Sequence, residues 1–185
     1  MIYPIRAYGD PVLRAKCEEI TNFGDDFQKL VEDMFETMDE SDGVGLAAPQ
    51  IGKNIRLFVI DSTLFDKKNE GEGVRQAFVN PIILAEEGEH WPFEEGCLSI
   101  PEIREDVQRK PSVKIQYKTI QNEEKTEVFE GMSARVIQHE FDHIEGILFI
   151  DHISAFKRQL LKGKLTNISK GNVNVHYRMK FPKRK

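Results

Sequence analysis

Cysteine is scarce in this chain: its 185 residues hold two, Cys17 and Cys97. They lack C-x-x-C spacing, which excludes a metal ribbon and a thioredoxin-like redox motif. Such sparse usage fits a reducing compartment, so the cytoplasm is the expected location. No apolar run approaches the ~20 residues that a membrane span needs. The opening Met1-Ile2-Tyr3-Pro4-Ile5-Arg6 has no apolar core of a signal peptide. No membrane or DNA partner is therefore expected. Acidic residues are missing from one end: residues 152–185 carry ten Lys/Arg and no acid, while residues 1–151 carry sixteen against thirty-one, net +10 and −15. That basic segment reads either as a solubilising helix with a frayed end or as a contact for RNA phosphates.

What is present fits one globular domain, with 39% hydrophobic and 31% charged residues. Phe27, Leu30, Val31, Met34 and Met38 recur at helical spacing and predict an amphipathic helix over residues 25–40. Strand-like runs stand at Ile55–Ile60, Ala77–Ala85, Val113–Ile120 and Thr126–Phe129, and the polar stretch Lys67–Gly73 reads as a mobile loop. Ser154 to about Asn167 is expected to be helical and Val173–Tyr177 extended. Helices and strands do not alternate regularly, which predicts an α+β fold with antiparallel pairing.

The run Ile137-Gln138-His139-Glu140-Phe141-Asp142-His143 contains H-E-x-x-H. On a helix, residues i and i+4 share a face about 5–6 Å apart at Cβ, so both imidazoles can reach one metal ion. The glutamate between them is then placed beside a metal-bound water as general base. An amphipathic helix carrying two histidines is the alternative. Ser133 is the expected N-cap and Gly146 the C-terminal stop. A catalytic site of this type needs three protein ligands and one open position. Phe149 stands where an extended H-E-x-x-H-x-x-G-x-x-H motif has its third histidine, and no carboxylate follows Asp151. The third ligand must come from upstream, or from His152 or His176.

Upstream lies Phe93-Glu94-Glu95-Gly96-Cys97-Leu98-Ser99-Ile100-Pro101. Taken alone, Cys97 reads as a small buried hydrophobe, half of a disulfide with Cys17, or a ligand. Its position after a glycine and in a loop ending at proline favours a site. A third segment, Gly43-Val44-Gly45-Leu46-Ala47-Ala48-Pro49-Gln50, reads as a small-residue turn with Gly43 as the left-handed helix cap. No Gly-Lys-Ser/Thr follows it, so phosphate cradling is a poor alternative. Small residues allow close backbone approach, and Gln50 offers an amide donor suited to an oxyanion.

Together the three segments resemble peptide deformylase. Its signatures G-x-G-x-A-A-x-Q, E-G-C-x-S and Q-H-E-x-D-H-x-x-G stand complete and in order at Gly43–Gln50, Glu95–Ser99 and Gln138–Gly146. With Tyr8-Gly9-Asp10-Pro11-Val12-Leu13-Arg14, the resemblance spans residues 1–155. It implies a catalytic domain over 1–155, with 156–185 as the basic C-terminal helix and tail of the same domain, and antiparallel sheets packed around the helix bearing H-E-x-x-H. It implies removal of the formyl group from N-formylmethionyl nascent peptides, with Cys97, His139 and His143 as metal ligands and metal-bound water as nucleophile. Glu140 is then the general acid/base, and the Gln50 amide and Leu98 N–H stabilise the oxyanion. The family typically uses Fe(II), with Zn, Ni or Co also accommodated; ligand type alone points to zinc. Val44 and Gly45 are expected to face the peptide backbone, and Phe93, Met132 and Val136, beside His139, to form the methionine pocket. Glu95 and Arg104 are expected to pair near the cleft, and Asp142 to orient a ligand imidazole. Arg135 departs from the apolar residue that family members often carry there. Some members bind ribosomes through their C-terminal segment, which extends the RNA reading of residues 152–185.

Overall fold

The computed structural model describes residues 1–68 and 73–182, so most of the stretch expected to form a loop, Lys67–Gly73, lies outside the described residues. In chain order come β1 (Ile5–Arg6), α1 (Asp25–Glu40), β2 (Gly45–Ala47), β3 (Leu57–Asp61), β4 (Arg75–Glu87) and β5 (Trp91–Cys97). β6 (Ile100–Arg109), β7 (Ser112–Lys118), β8 (Glu124–Glu130), α2 (Gly131–Ile144), α3 (Ala155–Ser169) and β9 (Met179–Lys180) follow. The fold is α+β. Five strands pair antiparallel in the order β2-β3-β4-β7-β8, and β5 and β6 form a separate antiparallel hairpin. The short β1 and β9 pair in parallel.

β3 shows why the sheet sits in the middle. Its alternation sends Leu57 and Val59 to one face and Phe58 and Ile60 to the other, and all four are fully buried. The first face packs with Phe27, Val31, Met34 and Met38 of α1. The second packs with Ala134, Val136, Ile137 and Ile144 of α2. Buried on nearly every side, α2 is the central helix, and it carries H-E-x-x-H. A third cluster joins Ile100, Ile103 and Val107 of β6 to Leu148, Phe149 and Ile150 and to Leu165 and Ile168 of α3. None of the helices among the described residues is long and apolar enough to cross a membrane.

Local expectations fare unevenly. α1 matches its predicted span, its first turn carrying Asp25 and Asp26 where the helix dipole favours acids. Its end is marked by Asp42, left-handed at φ 54, and not by Gly43. α2 begins at Gly131 with Glu130 at the N-cap position, so Ser133 lies inside the helix, its Oγ 2.8 Å from Ser62 Oγ. α3 begins on Ser154, whose Oγ accepts from Lys157 N–H at 3.2 Å. Residues 173–177 belong to no strand, and the short strand β9 follows them. No strand signal marks the β5–β6 hairpin in the sequence, because charged residues interrupt its apolar alternation.

A buried ionic cluster ties that hairpin to α2. Glu95 of β5, 6% exposed, accepts from Arg109 Nε at 2.7 Å and Nη2 at 3.1 Å, and from Arg135 Nη1 of α2 at 2.7 Å. Arg109 reaches on to Asp142 at 2.8 Å, and Arg135 donates to the carbonyls of Val107 and Trp91 at 3.1 and 2.7 Å. The Arg135 guanidinium also lies 4.1 Å from the Trp91 ring centre, a cation–π contact. Burial works against ionisation of Glu95, but His139 and Arg109 outweigh it and hold its carboxyl far below the usual carboxylate range. Removing one member of such a cluster leaves uncompensated buried charge. Glu95→Ala is expected to cost about 3–5 kcal/mol of unfolding free energy, read by urea melts; a loss below about 1 kcal/mol would contradict the role. Because the folded pKa is depressed, this stabilisation is complete above the unfolded value and is lost as pH falls through the folded one. Wild-type melts should therefore weaken on acidification more steeply than those of Glu95→Gln.

Candidate active site

α2, the hairpin and the segment after α1 meet along a cleft of about 1240 Å³. At its base, Cys97 Sγ, a ring nitrogen of His139 and one of His143 lie within 4.8 Å of one another. The histidines are one helical turn apart on α2, with ring centres 5.1 Å apart. Cys97 ends β5, and its sulfur is 3.3 Å from His143 Nε2. Both cysteines are free, which removes the Cys17–Cys97 disulfide alternative. Burial pushes the Cys97 thiol up, yet charge on His143 and hydrogen bonds from both imidazoles bring it down to about 5. A thiolate and two imidazoles are a donor set that fits one divalent cation.

The imidazole of His139 is oriented from behind: its Nδ1 lies 2.9 Å from Glu95 Oε2, which keeps the proton on Nδ1 and leaves Nε2 for the cleft. Glu95, and not Asp142, therefore supports a ligand imidazole. Asp142 instead accepts from Arg109 and lies 2.7 Å from His152 Nε2. His152 and His176 are absent from the three-atom cluster. Nor does Glu95 pair with Arg104; Arg104 is two-thirds exposed and lies 3.9 Å from Glu94. The unexpected Arg135 is buried as the partner of Glu95 and so adds no free charge to the pocket.

Glu140 follows His139 on α2 and lines the same cleft. Burial pushes its carboxyl up to about 7, outweighing the opposing influence of the neighbouring His139 and His143. Its Oε2 is buried without a hydrogen-bond partner among the described residues. Leaving such an oxygen unmatched is costly, so a bound water is the fitting partner. A Cβ on Gly45 would come within 2.8 Å of Glu140 Cδ and Cγ, so only glycine fits opposite this carboxylate. Gln50 sits in the short 3-10 turn Ala48–Ile51. Its Oε1 accepts from Ala47 N–H at 2.8 Å, which turns Nε2 toward Cys97 Sγ at 3.5 Å and Ser99 Oγ at 3.4 Å.

Val44, Gly45, Phe93, Glu95, Leu98, Arg104, Met132 and Val136 all line the cleft, with β2 at the sheet edge beside it. Two further residues belong here. Arg109 shares the inward register of β6 with Ile103 and Val107, and an inward arginine demands a buried carboxylate; that alternation was the available signal. Tyr177 reaches Leu98 across 79 positions, and no local pattern announces it.

A profile of the polypeptide deformylase family matches residues 2–159. A peptide deformylase of Cytophaga hutchinsonii is 56% identical over 185 residues, covering 100% of each chain. One of Christiangramia forsetii is 50% identical over 193 residues, covering 100% of this chain and 98% of the other. The crystal structure of peptide deformylase from Thermotoga maritima superposes with a TM-score of 0.75 at 45% identity, over 83% of this chain and 99% of that one. A peptide deformylase from Legionella pneumophila gives 0.82 at 37% identity, over 93% and 98%. Similarity of this extent, over a cleft where thiolate, imidazoles and buried carboxylate converge, places the chain in the peptide deformylase family of hydrolases.

Proposed function

We propose that this chain removes the formyl group from the N-terminal N-formylmethionine of newly synthesised polypeptides in the cytoplasm, releasing formate. The observation that carries this reading is the convergence of Cys97, His139 and His143 beside the unpartnered carboxylate oxygen of Glu140. Those three residues would hold one divalent ion, Fe(II) by family resemblance, with Zn, Ni or Co as alternatives. When bound, the ion supplies a Lewis acid that lowers the pKa of water from 15.7 toward ~7.

The chain's own groups do the rest. The free edge of β2 at Val44 and Gly45 offers backbone groups to an extended peptide. Phe93, Met132 and Val136 provide the apolar wall for the methionine side chain, with Arg104 at the mouth and Glu95 acting through His139. Glu140 takes a proton from the attacking water and delivers it to the amine as the C–N bond breaks. Gln50 Nε2 and the Leu98 N–H donate to the formyl oxygen as negative charge develops on it. The catalytic domain is assigned to 1–155, with 156–185 its C-terminal helix and tail. The basic run from residue 152 is assigned to ribosomal RNA phosphates, because it carries ten cationic side chains and no acid.

Anaerobic purification with metal analysis, followed by a formate assay on a formyl-Met peptide, tests the activity. Glu140→Gln should keep its metal while kcat falls by about 10²–10⁴, whereas Cys97→Ser should lose metal; equal metal loss in both would refute the role assignment. Gln50→Ala should retain metal and lose about 2.7–4 kcal/mol of transition-state stabilisation, read from kcat. Unchanged kcat would remove Gln50 from the mechanism. Lys162→Glu with Lys164→Glu should weaken co-sedimentation with ribosomes at low salt; no change would end the RNA assignment for α3.

A further inference from the structure

The turn that presents Leu98 is held from outside. Only Leu98 and Ser99 join β5 to β6, across the pair Cys97↔Ile100, and the register shifts between Gly96 and Cys97. Two-residue hairpin turns normally use positive φ, which matches the twist of their strands. The non-glycine residues with positive φ among those described are Asp42, Asn80, Glu102 and Asn122, so Leu98 and Ser99 make a turn of another kind. Such a turn depends on partners elsewhere in the chain. Tyr8 N–H donates to the Ser99 carbonyl at 2.8 Å, Gln50 Nε2 to Ser99 Oγ at 3.4 Å, and the Tyr177 hydroxyl to the Leu98 carbonyl at 2.9 Å.

The third contact comes from near the C-terminal end, beyond the region that carries the sequence signatures. Residues Asn174–Tyr177 line the cleft. They are moored at two further points. Asn174 N–H donates to Glu102 Oε1 at 3.1 Å, and His176 Nε2 lies 3.3 Å from Asp42 Oδ2. Glu102 holds a left-handed backbone at φ 62 inside β6, a strained conformation of the kind found beside functional sites. The Tyr177 ring packs with Leu98 against the α1 cluster. Burial, then the charges of Cys97 and Glu102, push its phenol well up, so it remains a donor at neutral pH.

We propose that Tyr177 is a positioning residue of the active site: its hydroxyl clamps the Leu98 carbonyl and so aims the Leu98 N–H at the developing oxyanion. Residues 174–177 are thereby a wall of the substrate cleft as well as part of the tail. The proposal rests on the deformylase reading and adds a residue to it.

The test is Tyr177→Phe, which keeps the packed ring and removes only the donor. Three quantities are measured: metal content, steady-state formate release from a formyl-Met peptide, and hydrogen exchange of residues 96–100. Loss of one neutral hydrogen bond predicts a kcat about 3–10-fold lower, KM within about twofold, equal metal, and faster exchange of the turn. Wild-type kcat in the variant, an activity loss that follows metal loss, or unchanged exchange would each overturn the proposal. Absence of formate release by the wild-type protein would sink the deformylase reading instead, and the exchange measurement would still report on the clamp.

Discussion

The carboxylate of Glu95 is the interaction on which the site depends. It is buried at the junction of β5 and α2, and three cationic or polarised groups converge on it: Arg109, Arg135 and His139. The first two fasten the hairpin to the central helix. The third sets the tautomer of an imidazole that faces the metal-binding cluster. One side chain therefore joins a tertiary contact to a coordination geometry. A buried ion pair often contributes little net stability, because desolvation offsets the attraction. Here the geometry it enforces is the better account of its presence.

Much of this architecture is legible in the amino-acid order, for reasons specific to each element. α1 shows itself through Phe27, Val31, Met34 and Met38, whose spacing survives in the folded core. H-E-x-x-H is legible because its two imidazoles need nothing beyond one helical turn to come together. Cys97 is different: alone it is one cysteine in a loop, and only the joint occurrence of three signatures joined it to the histidines. The β5–β6 hairpin was hidden because its inward register mixes Ile103 and Val107 with Glu95 and Arg109, which resembles a solvated stretch until the charges are seen to neutralise one another. The pair expected near the cleft, Glu95 with Arg104, gives way to Arg109 of the same hairpin and Arg135 of α2.

The C-terminal part of the chain illustrates a similar limit. Its composition is basic, yet its hydrogen bonds at the cleft include uncharged donors, the backbone N–H of Asn174 and the hydroxyl of Tyr177. α3 carries Leu165 and Ile168 into the third cluster. The following segment then runs along the cleft before β9 pairs with β1. The end of the described chain is thus built into the same body as the metal-binding cluster.

The missing side chain at Gly45 has a consequence for how this site can vary. Even one methyl there would collide with the acid opposite it, so the two positions are sterically interlocked. Shortening Glu140 to aspartate would make room, but would draw the carboxylate back from its place in the cleft. A side chain at position 45 therefore requires the Glu140 side chain to move, so the two positions constrain one another.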